Sequence, residues 1–278
     1  KHTNEYWRNM KLIAELCQNH NGSIKTIEKM VDRAKYAEAD ICKLQSIKAD
    51  SLTSRKEYES FRTYDSEYKR FKELELSYDD EKKFIDFCGK DIIPMTTIFS
   101  TNDYDYYNSL GYDYLKLSGY SMEAFDYGLK LDKFNFKHLV FSTSSLTLDE
   151  IKKCISNLQG VDFTILYCVC LYPTPADNIN LSSIQHLKTL HDKIGFSDHS
   201  IGVRRSKDAI FQGIDMLERH FTILNKDETR DGKVSLSPQQ FKELSVFSKY
   251  SKDQQYRMLN IFNDKQKFNH TYYKGRFK

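Results

Sequence analysis

The 278-residue sequence is poor in proline, with four, and has one tryptophan, eleven glycines and six cysteines. The scarce proline accompanies abundant Tyr, Lys, Asn and Ile, which reflects base composition and carries no functional information. No Cys-x-x-Cys pair occurs among Cys17, Cys42, Cys88, Cys154, Cys168 and Cys170. Several of these lie in apolar runs, where a free thiol behaves as a small hydrophobe. That argues against a disulfide framework and for a reducing cytoplasm. Long apolar runs are absent too: the longest, Phe163 to Tyr172, is far too short for a bilayer. The polar start, Lys1 to Met10, lacks a signal-peptide core. Charge of one sign is missing as well. The net of +3 does not suggest nucleic acid or an acidic membrane as partner. Basic residues are dispersed except from Lys265 to Lys278, a stretch that reads as a solvated end. There is no short-period repeat, no low-complexity linker and no dinucleotide glycine fingerprint; the first turn is Asn19-His20-Asn21-Gly22-Ser23.

What is present is an alternation. Short apolar runs at 11–16, 41–45, 92–99, 114–117, 138–142, 163–172, 194–198 and 215–222 read as strands. Amphipathic stretches at 24–38, 79–88, 102–110, 121–131, 146–158, 181–192, 203–212 and 237–250 read as helices. Thr147-Leu148-Asp149-Glu150 is a capping box. These units in series predict an α/β protein of the (β/α)8 TIM-barrel type over residues 1–250, followed by a basic C-terminal tail, 251–278, with no separate domain. A doubly wound sheet is the alternative. The long irregular segment from Ile47 to Tyr78 follows the second strand, so it belongs on the C-terminal rim as a lid or wall.

Residues two apart in a strand share a face. Lys43 with Gln45, Lys116 with Ser118, Ser197 with His199 and Glu218 with His220 are therefore paired near strand ends, on the rim where barrels carry their active sites. Two lysines inside barrel strands imply an anion at the centre, either carboxylates or a bound phosphate. His199 and His220 end consecutive strands, and in a closed barrel both imidazoles reach one point, a candidate metal site. Either histidine alone fits a structural role; the pair, with Asp198 and Glu218 nearby, favours metal. Asp198 and Glu218 can also fix the imidazole tautomers without touching metal. Lys43 can pair with Glu15 or Glu218 and serve packing alone. Cys168 and Cys170 read as plain core, and Tyr172-Pro173-Thr174-Pro175 as a rigid strand exit.

These residues resemble the sialic acid synthase family, the phosphoenolpyruvate-dependent synthases of nonulosonic acids. The likeness runs from about Lys11 to Ser237. It is carried by Ile13-Ala14-Glu15 with the Asn19–Ser23 turn, Lys43-Leu44-Gln45, Thr97-Ile98-Phe99-Ser100 and Phe141-Ser142-Thr143. Leu171-Tyr172-Pro173-Thr174-Pro175, Phe196-Ser197-Asp198-His199 and Glu218-Arg219-His220-Phe221-Thr222 complete it. The resemblance implies a (β/α)8 barrel that joins phosphoenolpyruvate to an open-chain N-acylated amino sugar. The expected products are a 3-deoxy-2-keto sugar acid and inorganic phosphate. It implies a divalent cation, commonly manganese, with magnesium or cobalt as alternatives, held by His199 and His220. By the same resemblance Glu15, Lys43 and Lys116 form the catalytic set. Thr97, Ser142 and Ser197 join the lysines in binding phosphoenolpyruvate, and Gln45, Tyr172 and Asp231 contact the sugar.

The sequence departs from the family pattern at several points. Cys170 stands where asparagine is common, and Glu228-Thr229-Arg230 where a Pro-Gly-Pro run is frequent. Gly119 occupies the place of an expected serine, for which Ser118 can substitute. Many members carry a C-terminal antifreeze-like domain that grips the N-acyl group. No comparable pattern follows Tyr250, so the expectation is a barrel without it, and N-acetylmannosamine specificity is not implied. The expected protein is a cytoplasmic, homo-oligomeric enzyme. The alternatives are a synthase of a shorter 3-deoxy keto acid of the octulosonate type and a non-catalytic relative that binds sugar or metal.

Overall fold

A computed structural model describes residues 10–53, 62–259 and 274–276. The polar start, part of the long segment after the second strand and most of the basic tail lie outside the described residues. Eight strands, β1 (Lys11–Glu15), β2 (Ile41–Gln45), β3 (Ile93–Thr97), β4 (Tyr114–Leu117), β5 (His138–Ser142), β6 (Phe163–Cys168), β7 (Ile194–Asp198) and β8 (Met216–His220), close into a barrel. Each pairs in parallel with the next, and β8 pairs with β1. The helices are α1 (Ile24–Tyr36), α2 (Tyr64–Leu74), α3 (Tyr78–Cys88), α4 (Tyr104–Leu110), α5 (Leu148–Asn157), α6 (Ser182–Lys188), α7 (Arg204–Phe211), α8 (Pro238–Ser248) and α9 (Lys252–Leu259). The barrel expected from the alternation is the fold observed.

Strand parity builds the barrel in layers. Ile13, Ile41, Met95, Val140, Leu166 and Met216 point inward and form one apolar cluster, the floor. The residues between them, such as Leu12, Cys42, Leu115, Phe141, Ile165 and Leu217, point outward and pack with the helices. Gly195 has the same parity as the floor, and a Cβ there would lie 2.4 Å from the Met216 carbonyl and 2.5 Å from Leu166, so only glycine fits. Two residues beyond the floor, the same inward parity reaches Glu15, Lys43, Thr97, Ser142, Ser197 and Glu218. Each strand thus turns from apolar to polar as it nears the C-terminal rim.

The helix starts are fixed by side-chain caps: Ser23 on α1, Thr63 on α2, Ser77 on α3, and capping boxes at Thr147 on α5 and Ser237 on α8. Three elements differ from expectation. Helix α2 lies inside the segment expected to be irregular. It buries none of its residues fully, but Tyr64, Tyr68, Phe71 and Leu74 recur at helical spacing and are half-buried, a period that the expectation passed over; it is tied down by Lys72–Asp50 and Tyr68–Asp50 contacts and by Arg70 on Gln18. The helix expected over 121–131 is instead a 3-10 segment, Asp126–Leu131, interrupted by left-handed backbone at Tyr127 and Gly128. Helix α9 falls in the expected tail. Its Lys252 donates to the Phe211 carbonyl at 2.7 Å, at the end of α7, and Gln255 donates to the Phe247 carbonyl. Among the described residues, no helix is long and apolar enough to cross a membrane. All six cysteines are free.

Candidate active site at the C-terminal rim

The neighbouring strands β1, β2 and β8 bring Glu15, Lys43 and Glu218 together. Glu15 is in register with Lys43 on one side and His220 on the other. The Lys43 ammonium pairs with Glu15, donates to Thr97 Oγ1 at 2.8 Å and lies 3.6 Å from Glu218 Oε2. Lys116 reaches across the barrel to pair with Glu218 Oε1, which also accepts from Ser197 Oγ at 2.8 Å. Glu218 therefore bridges the two lysines. Burial pulls the Lys43 pKa down to about 7; Glu218 opposes that fall and Lys116 adds to it. Burial also works against ionised Glu218, but Lys116 and Lys43 outweigh it and hold the carboxyl well below the usual carboxylate range. Two carboxylates, Glu15 and Glu218, thus face the two buried lysines.

The two imidazoles are close, with ring centroids 5.1 Å apart and planes at 73°. The Tyr172 ring covers them, 4.3 Å from His199 and 6.0 Å from His220. Nδ1 of His199 lies 3.2 Å from the Val169 carbonyl, which can only accept, so the proton sits on Nδ1 and Nε2 keeps its lone pair. Burial lowers the His199 pKa to about 4. Burial, reinforced by His199, pushes His220 well below its ordinary value. Both rings are therefore neutral near pH 7, the form that binds metal. Nδ1 of His220 is buried without a hydrogen-bond partner and lies 3.9 Å from Asp231 Oδ2. Neutral imidazoles with an orphaned ring nitrogen fit a divalent cation.

Gln45, Thr97, Ser118, Ser142, Tyr172 and Ser197 line the same pocket as Glu15, Lys43, Lys116 and the histidines. Glu218, expected on the rim beside His220 and as a partner of Lys43, also lines it; so do Tyr120, Ser144 and Cys168, none of which was expected as a pocket group. The inward parity of Glu218 and Cys168 was a usable signal. Tyr120 stands in the short 3-10 helix Gly119–Ser121 and Ser144 in a turn, where no periodicity points to them. Cys168 is not plain core: its sulfur lies 3.9 Å from His199 Nδ1. Cys170 is exposed, so it is not core either. Asp231 is absent from the lining and instead accepts from the Cys17 thiol at 2.9 Å. Gly119 has a steric reason. A Cβ there would meet the Ser144 carbonyl at 1.9 Å, so a serine does not fit, whereas Ser118 faces the pocket. The Asn19–Ser23 turn braces rather than reacts. Asn19 donates to the Phe221 carbonyl at 3.0 Å and Ser235 Oγ at 2.9 Å, and His20 accepts from Gly22 N–H.

The sequence profile described as the NeuB family matches residues 30–254. The chain belongs to the NeuB family. This NeuB-family chain is 30% identical over 246 residues to an N,N'-diacetyllegionaminic acid synthase of Campylobacter jejuni, a match covering 84% of the chain and 73% of the relative. It is 28% identical over 246 residues to an N-acetylneuraminate-9-phosphate synthase of Drosophila melanogaster, covering 84% of the chain and 66% of the relative. The crystal structure of N-acetylneuraminic acid synthetase from Leptospira borgpetersenii superposes with a TM-score of 0.78. At 22% identity, over 97% of this chain and 94% of that one, it shows a shared fold.

Proposed function

We propose that this chain condenses phosphoenolpyruvate with an open-chain aldose, an N-acylated amino sugar such as N-acetylmannosamine or a related hexose. The products are a 3-deoxy-2-keto sugar acid and inorganic phosphate. The observation that carries this reading is the single pocket in which two buried lysines, two carboxylates and two neutral histidines meet. The synthase names of the relatives agree with it.

His199 and His220 would hold a divalent cation, for which manganese is the first candidate and magnesium or cobalt the alternatives. When bound, it supplies Lewis-acid polarisation of the sugar aldehyde. The chain's own residues do the remaining work. Lys43 and Lys116 bind the phosphate and carboxylate of phosphoenolpyruvate, and an arriving anion favours the charged form of Lys43. Ser142 and Ser197 offer hydroxyl donors beside them. Gln45 and Tyr172 orient the sugar, with the Tyr172 ring screening the histidines from water. C3 of the enol attacks the aldehyde carbon, which leaves positive charge at C2. Water adds at C2, Glu15 accepts its proton, and the tetrahedral phosphate collapses by C–O cleavage.

The test is phosphate release by the purified chain with phosphoenolpyruvate, divalent metal and a panel of aldoses. Release with an N-acylated hexosamine is expected, and His199→Ala or His220→Ala should abolish it while the circular dichroism stays native. No release with any aldose, or full activity in both histidine variants, would refute the reading.

A further inference from the structure

Cys17 stands two residues beyond β1 with φ at +47°, in the left-handed region that residues with a Cβ seldom adopt. Its N–H donates to Glu15 Oε1 at 2.6 Å, which holds the turn in place. The thiol is buried and faces Asp231 Oδ2 at 2.9 Å. That same oxygen lies 3.9 Å from the buried, unpartnered Nδ1 of His220. One donor atom from each of Cys17, His220 and Asp231 lies within 4.8 Å of the other two. A buried polar atom without a partner costs about 1–3 kcal/mol, so the orphaned nitrogen needs an occupant in front of it. Sulfur, imidazole nitrogen and carboxylate oxygen this close together are the donors of a transition-metal site, a group that leaves out His199.

We propose, on the reading that His199 and His220 hold a divalent cation, that Cys17 and Asp231 complete its ligand set. The centre is then a sulfur-containing one rather than a pair of histidines alone. Two anionic donors offset the cation's charge, and a thiolate moves the preference away from manganese, the first candidate for two histidines alone, toward cobalt, zinc or iron. On binding, the Cys17 S–H bond breaks, its proton passes to solvent and the sulfur lone pair goes to the cation. Without the cation, burial beside Asp231 pushes the thiol pKa up, so the proton stays on sulfur. The left-handed backbone at Cys17 fits this role: a glycine would adopt it without strain, but only a side chain can deliver the sulfur.

The experiment is a cobalt titration of the metal-free full chain, followed by absorption spectroscopy. One cobalt per chain is expected, with an intense near-ultraviolet sulfur-to-cobalt charge-transfer band. The band should vanish in Cys17→Gly and Cys17→Ala; the glycine suits the left-handed backbone, so that variant retains the fold. Asp231→Asn should weaken cobalt binding and keep the band. The preference for cobalt over manganese should fall by about 10-fold or more in Cys17→Gly, the scale on which metal sites respond to losing a supporting group. Cobalt binding without the band, or an identical spectrum in Cys17→Gly, overturns the role of Cys17 and leaves the two histidines standing. No cobalt bound by the unaltered chain overturns both.

Discussion

Arg219 donates to Asp198 Oδ2 at 2.6 Å inside the protein, and each of the two residues immediately precedes a histidine of the site. They are partners in the β7–β8 register, on the outer face of the barrel wall. The Arg219 guanidinium also donates to Ser206 Oγ and to the carbonyls of Gly202, Ser200 and Val234. Asp198 in turn accepts from Ser206 Oγ and the Ser200 N–H. This pair locks the strand ends that aim His199 and His220.

Breaking it leaves a lone buried charge. Arg219→Met and Asp198→Asn should each destabilise the fold by about 3–5 kcal/mol, read from urea unfolding. A loss below about 1 kcal/mol in either variant would show that the pair does not hold the strand ends.

Lys116 and Glu218 give a binding prediction. Lys116→Met removes one of the two ammonium groups offered to phosphoenolpyruvate. Calorimetry should show its binding weakened by roughly 10- to 100-fold, the worth of a charge-assisted hydrogen bond, with metal affinity changed far less. Equal affinity for phosphoenolpyruvate in the variant would count against the anion pocket.

Gly119 has no space for a side chain. Gly119→Ser should force the Ser142–Ser144 loop outward, cost about 1–3 kcal/mol and weaken phosphoenolpyruvate binding. A stable variant with unchanged binding would mean that the loop yields freely.

Glu38 sets a pH dependence. It follows α1 and meets α8 through Lys249, Ser245 at 2.7 Å and Lys242 at 3.0 Å. The hydrogen bond from Lys249, then those from Ser245 and Lys242, lower its pKa from 4.5 to about 2. A depressed carboxylate stabilises the fold fully above its unfolded pKa, and that contribution is lost as pH falls through the folded value. Glu38→Gln should therefore destabilise at pH 6, by less than about 1 kcal/mol given its exposure. The difference from the parent should shrink between pH 4.5 and 2. A difference independent of pH would exclude the mechanism.

The sequence by itself determined the strands, their inward faces and the meeting of His199 with His220. Each of these follows from a local repeat of two within a short run, and the closed barrel adds only adjacency. The same parity carried Lys43, Lys116, Ser142 and Ser197 to the rim. Tertiary structure alone decided what those groups touch. Glu218 bridges Lys43 and Lys116 because the barrel is narrow enough for β4 and β8 to meet across its centre. Cys17 reaches Asp231 across 214 residues of sequence. Ser144 enters the pocket from a turn and Tyr120 from the short 3-10 helix Gly119–Ser121. Such contacts depend on how distant segments are brought together, and no period within a single segment encodes them.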